Sequence, residues 1–148
     1  MGKMTLVCGP PGSGKTTYVR ERLKRGDLVV DLDDIWSAFT GQPKGDHPDG
    51  LLPYICEARD AVLRKWGQSR RTDIWFIHSA ASRQKRRAVR RMFGADVVVL
   101  ETTPNECVRR ATEQGRHDPV KTFKWATDWW QEYQKTPKDL EDEVIMER

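Results

Sequence analysis

A short apolar run, Met4 to Cys8, leads directly into Gly9-Pro10-Pro11-Gly12-Ser13-Gly14-Lys15-Thr16. No other stretch constrains the fold as strongly. The spacing is that of a phosphate-binding P-loop, G-x-x-x-x-G-K-[ST]. The surrounding pattern is the one this motif needs, a predicted strand before it and a predicted helix, over about residues 16–25, after it. Each residue type has a physical reason. Gly9, Gly12 and Gly14 permit backbone conformations that a β-carbon forbids, so successive N–H groups can converge on one phosphate chain. Lys15 is a compact cation that reaches β- and γ-phosphates, and Thr16 offers a hydroxyl to Mg²⁺. The helix that follows aims its positive end at the same anion. A bare Gly/Pro turn is the bland alternative, and the agreement of motif with context disfavours it. The sequence therefore points to nucleoside triphosphate binding, with ATP as the default because no guanine-reading Asn-Lys-x-Asp pattern is present.

A length of 148 residues suits one domain. With 37% apolar and 32% charged residues, the composition is that of a soluble globular chain. No apolar run approaches the roughly 20 residues of a spanning helix, which excludes helical membrane transport. The first strand begins so early that no room is expected for a signal peptide. Cys8, Cys56 and Cys107 are far apart and form no C-x-x-C pair, which disfavours a disulfide framework or a zinc site and fits a reducing, cytoplasmic location. A formal charge of +4 permits a polyanionic partner without requiring one.

Beyond the loop, Leu28 to Val30 reads as a buried strand that ends in Asp31-Leu32-Asp33-Asp34. In open α/β sheets ligands gather at the carboxyl ends of strands. These carboxylates are placed to meet Mg²⁺ or to accept a proton; equally, Asp33 or Asp34 could serve as the N-cap of the next helix. Residues 40–53 are rich in Gly, Pro and Asp and read as a loop, either a cover for an acceptor or a plain connection. His47 within it reads as solvated. A helix is expected over about residues 53–66, with Gly67 as its stop. Ile74 to Ile77 is the next strand. A basic helix follows, in which Arg83, Lys85, Arg86, Arg87 and Arg90 form either a solvated face or a nucleic-acid contact. Asp96 to Leu100 is a fourth strand. Thr103-Pro104-Asn105-Glu106 has the signature of a capping box with proline in the first turn. The helix it opens carries Arg109 and Arg110, and Gly115 breaks it just before Arg116. Arginines here suit a lid that closes over phosphates, or are simply favoured by the helix dipole. The last strong helix, over about residues 120–134, is expected to bury Phe123, Ala126, Trp130 and Tyr133, with Trp125 and Trp129 beside them. A stacking platform for bases is the alternative for its tryptophans. Pro137 is expected to stop it, and residues 138–148 read as an acidic tail, frayed or briefly helical.

The order of these motifs, from Met4 to about Tyr133, resembles the polynucleotide 5′-kinase branch of the small P-loop kinases and, with it, the zeta-toxin and gluconate-kinase groups. The resemblance places Gly9 to Thr17 in the phosphate loop and so adds Thr17 to the nucleotide contacts. It implies that Asp33 is the general base. It matches residues 82–87 to a polar-then-Arg-Arg stretch, and residues 103–110 with Arg116 to the lid. Two positions depart from it. Trp36 stands where such kinases usually have an arginine for the acceptor's phosphate, and Ser79 stands where they have an aspartate. Both departures lie on the acceptor side.

The expected fold is a single α/β P-loop domain over residues 1–136, with a parallel sheet of about four to five strands between helices, followed by the tail at 137–148. The expected activity is ATP- and Mg²⁺-dependent phosphoryl transfer to a hydroxyl, on a polynucleotide or nucleotide. A small metabolite or modified base is the alternative acceptor, and an NTP-binding or hydrolysing protein without an acceptor is the further alternative. Lys15, Asp33, Arg110 and Arg116 are the expected catalytic residues. Gly9 to Thr17 with Arg109 are the expected nucleotide contacts, and Thr16 with Asp31 the expected Mg²⁺ ligands.

Overall fold

The computed structural model describes residues 1–115, 118–135 and 143–147. Five strands form one parallel sheet, β1 (Met4–Cys8), β2 (Leu28–Asp31), β3 (Ile74–Ile77), β4 (Asp96–Glu101) and β5 (Glu143–Glu147), in the order β2-β3-β1-β4-β5. The helices are α1 (Lys15–Arg22), α2 (Leu32–Thr40), α3 (Leu52–Ser69), α4 (Arg83–Phe93), α5 (Pro104–Glu113) and α6 (Pro119–Lys135). This is the expected α/β arrangement. Because strands alternate their side chains, each one feeds two cores. Met4, Leu6, Val30, Phe76, Val97 and Val99 face Leu63 and Trp66 of α3, Phe93 of α4, and Trp129 and Tyr133 of α6. Val7, Ile77, Val98 and Leu100 face Tyr18 and Val19 of α1. The strand order reverses around β1, so the loop leaving β1 lies at the switch point where ligands collect.

Several elements differ from the sequence expectations, each for a local reason. α1 ends at Arg22, where Leu23 turns extended. The N-cap of α2 is Asp31, whose carboxylate accepts the Asp33 N–H at 3.2 Å, rather than Asp33 or Asp34. Gly67 does not stop α3. The helix runs on to Ser69 and closes at Arg70 in the left-handed region. A β-carbon at position 67 would lie 3.2 Å from the Phe93 ring, so this glycine marks a close helix contact, not an end. In α6 the buried residues are Thr122, Ala126, Trp129 and Tyr133, while Phe123 and Trp125 are 47% and 41% exposed. Thr122 tolerates the interior because its hydroxyl donates to the Asp118 carbonyl at 3.1 Å. The segment read as a frayed or helical tail carries β5, in register with β4 from Val97↔Glu143 to Glu101↔Glu147. The stop expected at Pro137 falls outside the described residues.

The basic helix α4 needs a further correction. Arg86 does not face solvent. It is 0% exposed, donates to the carbonyls of Ala80 and Ala81 at 3.1 and 2.7 Å, and sits over the Tyr133 ring. It fixes the turn between β3 and α4, where Ala80 holds a left-handed φ of 36°. Lys85 and Arg91 are exposed, and Arg83, Arg87 and Arg90 are half-buried. Arg86→Ala removes the donors of two carbonyls and leaves a void. It is expected to lower unfolding stability by about 3 kcal/mol, whereas Arg91→Ala on the exposed side should change it by less than about 0.5 kcal/mol. Urea denaturation of the two variants checks this, and equal midpoints would mean that Arg86 does not hold the turn.

Candidate active site

The loop between β1 and α1 is shaped by two left-handed glycines, Gly12 at φ 82° and Gly14 at φ 89°. Gly12 is also a close contact, since a β-carbon there would lie 2.9 Å from the Cys107 carbonyl oxygen. A loop that turns its N–H groups inward turns carbonyls elsewhere, and those of Gly9, Pro10 and Ser13 find side-chain donors. The Lys15 ammonium donates to the carbonyls of Gly9 and Pro10 at 2.9 and 3.1 Å. The Ser13 carbonyl accepts from the Arg110 guanidinium at 2.8 Å and from the Thr102 hydroxyl at 3.3 Å. Burial lowers the Lys15 pKa, and the nearby Asp31 charge opposes that shift.

A cleft of about 450 Å³ opens at this loop. Pro11 to Thr17 line it, together with Asp31 and Asp33 from the end of β2 and the start of α2. The loop, the proposed base and both proposed Mg²⁺ ligands thus share one cavity. Gly9 and Pro10 contribute instead through their carbonyls, as seats for Lys15. Asp31 is buried, which raises its carboxyl pKa, while the Lys44 charge acts the other way. A hydroxyl and carboxylates are hard oxygen donors, the set that suits Mg²⁺ carried in on a triphosphate.

The arginines divide. Arg110 reaches the back of the loop and pairs with Glu106 at 3.0 Å. Arg109 lies along the surface of α5, bonded to Glu106 and Glu113; neither arginine is among the residues lining the cleft, and only Arg110 bonds to the loop backbone. Of the capping box that the sequence predicts, one half forms: Thr103 accepts the Glu106 N–H, but the Glu106 carboxylate is bonded to these arginines, which hold its pKa down to about 2. Arg116 lies outside the described residues.

Three cleft-side residues escaped the sequence reading. Arg20 lines the cleft, one helical turn after Thr16, a spacing that could have revealed it. Lys44 enters from the loop over residues 41–51 and contacts Asp31 at 3.3 Å and Asp34 at 3.5 Å. His47, from the same loop, is not merely solvated: its Nε2 lies 3.0 Å from Oδ1 of Asp33. No periodicity or motif marked either. Trp36 is buried, and Ser79 serves through its carbonyl, which accepts from the Trp129 indole at 2.7 Å and from the Gly9 N–H at 3.4 Å.

A second cavity, about 620 Å³, lies between α3 and α4. Leu63, Phe76, Val89 and Phe93 make much of its wall, and Arg64 and Lys85 lie at it. The two cavities flank neighbouring residues at the end of β3, since Ile77 lines the first and His78 the second. Burial lowers the His78 pKa to about 4, so the ring is neutral near pH 7. Its Nδ1 accepts the Ala80 N–H at 2.9 Å, which leaves the proton on Nε2.

A parallel sheet with a glycine-rich phosphate cradle at its switch point defines a P-loop nucleotide-binding domain. The chain belongs to the AAA_33 family, whose model, described as an AAA domain, matches residues 4–136. Part of the chain is similar to the guanylate kinase of Thermotoga maritima, 33% identical over 64 residues, which is 43% of this chain and 29% of that protein. Among solved structures, a chain of the Pnkp1/Rnl/Hen1 RNA repair complex aligns with a TM-score of 0.69 at 17% identity, over 90% of this chain and 45% of that one. Shikimate kinase from Bacteroides thetaiotaomicron aligns with a TM-score of 0.58 at 14% identity, over 97% and 85%. A gluconokinase from Sinorhizobium meliloti aligns with a TM-score of 0.55 at 16% identity, over 99% and 82%. The chain thus spans less than a third of the curated relative and less than half of the repair-complex chain. The small P-loop kinase resemblance read from the sequence is borne out at the level of family and fold. Among the described residues, no helix is long and apolar enough to cross a membrane.

The arginine geometry gives a direct test. Arg110→Ala removes a charge-assisted bond to the loop and is expected to weaken ATP binding about tenfold. Arg109→Ala should leave it within about twofold, because that side chain sits in an exposed surface pairing. Titration calorimetry distinguishes these outcomes.

Proposed function

We propose that this protein is an ATP- and Mg²⁺-dependent phosphotransferase that moves the γ-phosphoryl group to a hydroxyl, the 5′-hydroxyl of a polynucleotide or nucleotide. The observation that carries the reading is that Lys15 and Asp33 line one cleft together with the phosphate loop. A carboxylate in the same cleft as the phosphate loop is placed to accept the proton of an incoming hydroxyl. The loop amides and Lys15 hold the β- and γ-phosphates, and Lys15 exchanges its carbonyl partners for phosphate oxygens. Thr16 and Asp31 would hold Mg²⁺, which neutralises charge on those oxygens when bound. Asp33 orients the acceptor hydroxyl and accepts its proton. The acceptor oxygen bonds to the γ-phosphorus as the bond to the β–γ bridging oxygen breaks, and ADP leaves with that electron pair. Arg110, with Arg116, supplies positive charge against the transferring group. The mildly basic charge and exposed Lys85 are compatible with a polyanionic acceptor. A cytoplasmic location agrees with the free thiols Cys8, Cys56 and Cys107.

The cavity between α3 and α4 favours a second reading, in which the acceptor is a small metabolite or modified base. A hollow of this size, with apolar walls, one neutral imidazole and the cations Arg59, Arg64 and Lys85 around it, suits a compact ligand that carries a polar or anionic group. Nucleotide binding or hydrolysis without any acceptor is the remaining alternative.

Label transfer from γ-labelled ATP to a 5′-hydroxyl oligonucleotide, to nucleosides and to a no-acceptor control decides among these. Label is expected on the oligonucleotide, with affinity that falls steeply as salt is added. Salt-insensitive transfer to a nucleoside alone would favour the second reading, and hydrolysis without transfer the third. Asp33→Ala is expected to lower transfer by about 10²–10⁴-fold with ATP binding nearly unchanged, and Lys15→Ala to abolish it. Wild-type turnover in Asp33→Ala would remove Asp33 as the base.

A further inference from the structure

The first two turns of α2 carry Asp33 and Trp36, whose i, i+3 spacing puts both on one helix face. The loop over residues 41–51 brings His47 back onto that face. Its imidazole lies flat on the Trp36 indole, with ring centroids 4.6 Å apart and planes inclined by 16°. In the same position its Nε2 lies 3.0 Å from Oδ1 of Asp33. Two contacts therefore act on one small ring. Stacking sets its plane, and the hydrogen bond sets its rotation within that plane. A carboxylate can only accept, so the proton of this bond belongs to Nε2. The floor is rigid, because Trp36 is 3% exposed. Asp33 needs such help. Its side chain is 41% exposed, and a carboxylate on two free torsions would otherwise sample several orientations.

We infer that His47 is a positioning residue for Asp33. By donating Nε2–H to Oδ1, it fixes the carboxylate and leaves Oδ2 as the oxygen that meets a hydroxyl. The neighbouring aspartates are managed differently, since Lys44 binds both Asp31 and Asp34. One loop thus sorts three carboxylates: two face an ammonium, and the third is aimed by a ring whose own geometry is fixed. This inference rests on the reading of Asp33 as the acceptor's base.

The test compares His47→Ala, His47→Gln and Asp33→Asn, alone and combined. Turnover is followed with the acceptor that takes label, or with water as acceptor if none does. His47→Ala is expected to lower kcat about 10–100-fold with KM for ATP within twofold. His47→Gln, whose amide N–H can reach the same oxygen, should recover part of the loss. In the Asp33→Asn background, His47→Ala should cost nothing further. If His47→Ala keeps wild-type kcat while Asp33→Asn is inactive, the positioning role is wrong and the base assignment stands. If Asp33→Asn turns over normally, both fall. If kcat and KM shift together in both His47 variants, the residue merely supports the loop, and the inference is overturned. A readout independent of turnover comes from the ¹⁵N shifts of labelled histidine. His47 is expected as the Nε2–H tautomer, with a shift that changes in Asp33→Ala; an Nδ1–H tautomer would also overturn it.

Discussion

A phosphate cradle made of backbone is limited by its carbonyls. Amides can converge on an anion only if the oxygens of the same peptides point away, and those oxygens must then find donors in a partly buried setting. Here the donors come from three places. Lys15 serves Gly9 and Pro10, Thr102 follows directly on β4, and Arg110 reaches in from α5. Much of the sheet order serves this arrangement. β4 must pair with β1 for Thr102 to lie behind Ser13, and α5 must pack close enough that position 12 has no room for a β-carbon. The loop is thus an assembly of three chain segments, although its motif is contiguous.

On the other side of the cleft, electrostatics takes over. Asp31, Asp33 and Asp34 stand close together at the end of β2, where burial and the two neighbouring carboxylates disfavour the charge on Asp31. The loop over residues 41–51 answers with one ammonium and one imidazole. Trp36 contributes a flat apolar surface on which the imidazole lies. This part of the wall supports a neighbouring ring instead of presenting charge itself.

Much of the fold was legible because its signals are local. The motif marked β1 and α1, short continuous apolar runs marked β3 and β4, and the Thr103-Pro104 pair marked the start of α5, where Thr103 does cap the helix. What was not legible depends on partners distant in sequence. Gly67 looks like a helix stop until Phe93 is placed against it. Arg86 looks like surface charge until the carbonyls of Ala80 and Ala81 are seen to need it. Thr122 looks too polar for the interior until its hydroxyl is paired within the helix. Lys44 and His47 sit in a loop without periodicity, where only the folded chain brings them to the aspartates.

The carbonyl of Ser79 has an optical consequence. It accepts both the Gly9 N–H at the start of the phosphate loop and the indole N–H of Trp129 from α6. Indole emission is sensitive to the hydrogen bonding and polarity around that nitrogen. Any movement of Gly9 that lengthens its 3.4 Å bond to Ser79 changes the acceptor it shares with Trp129. One of the six tryptophans is therefore joined, through a single oxygen, to the first residue of the phosphate loop, and a rearrangement of that loop is expected to register in its emission.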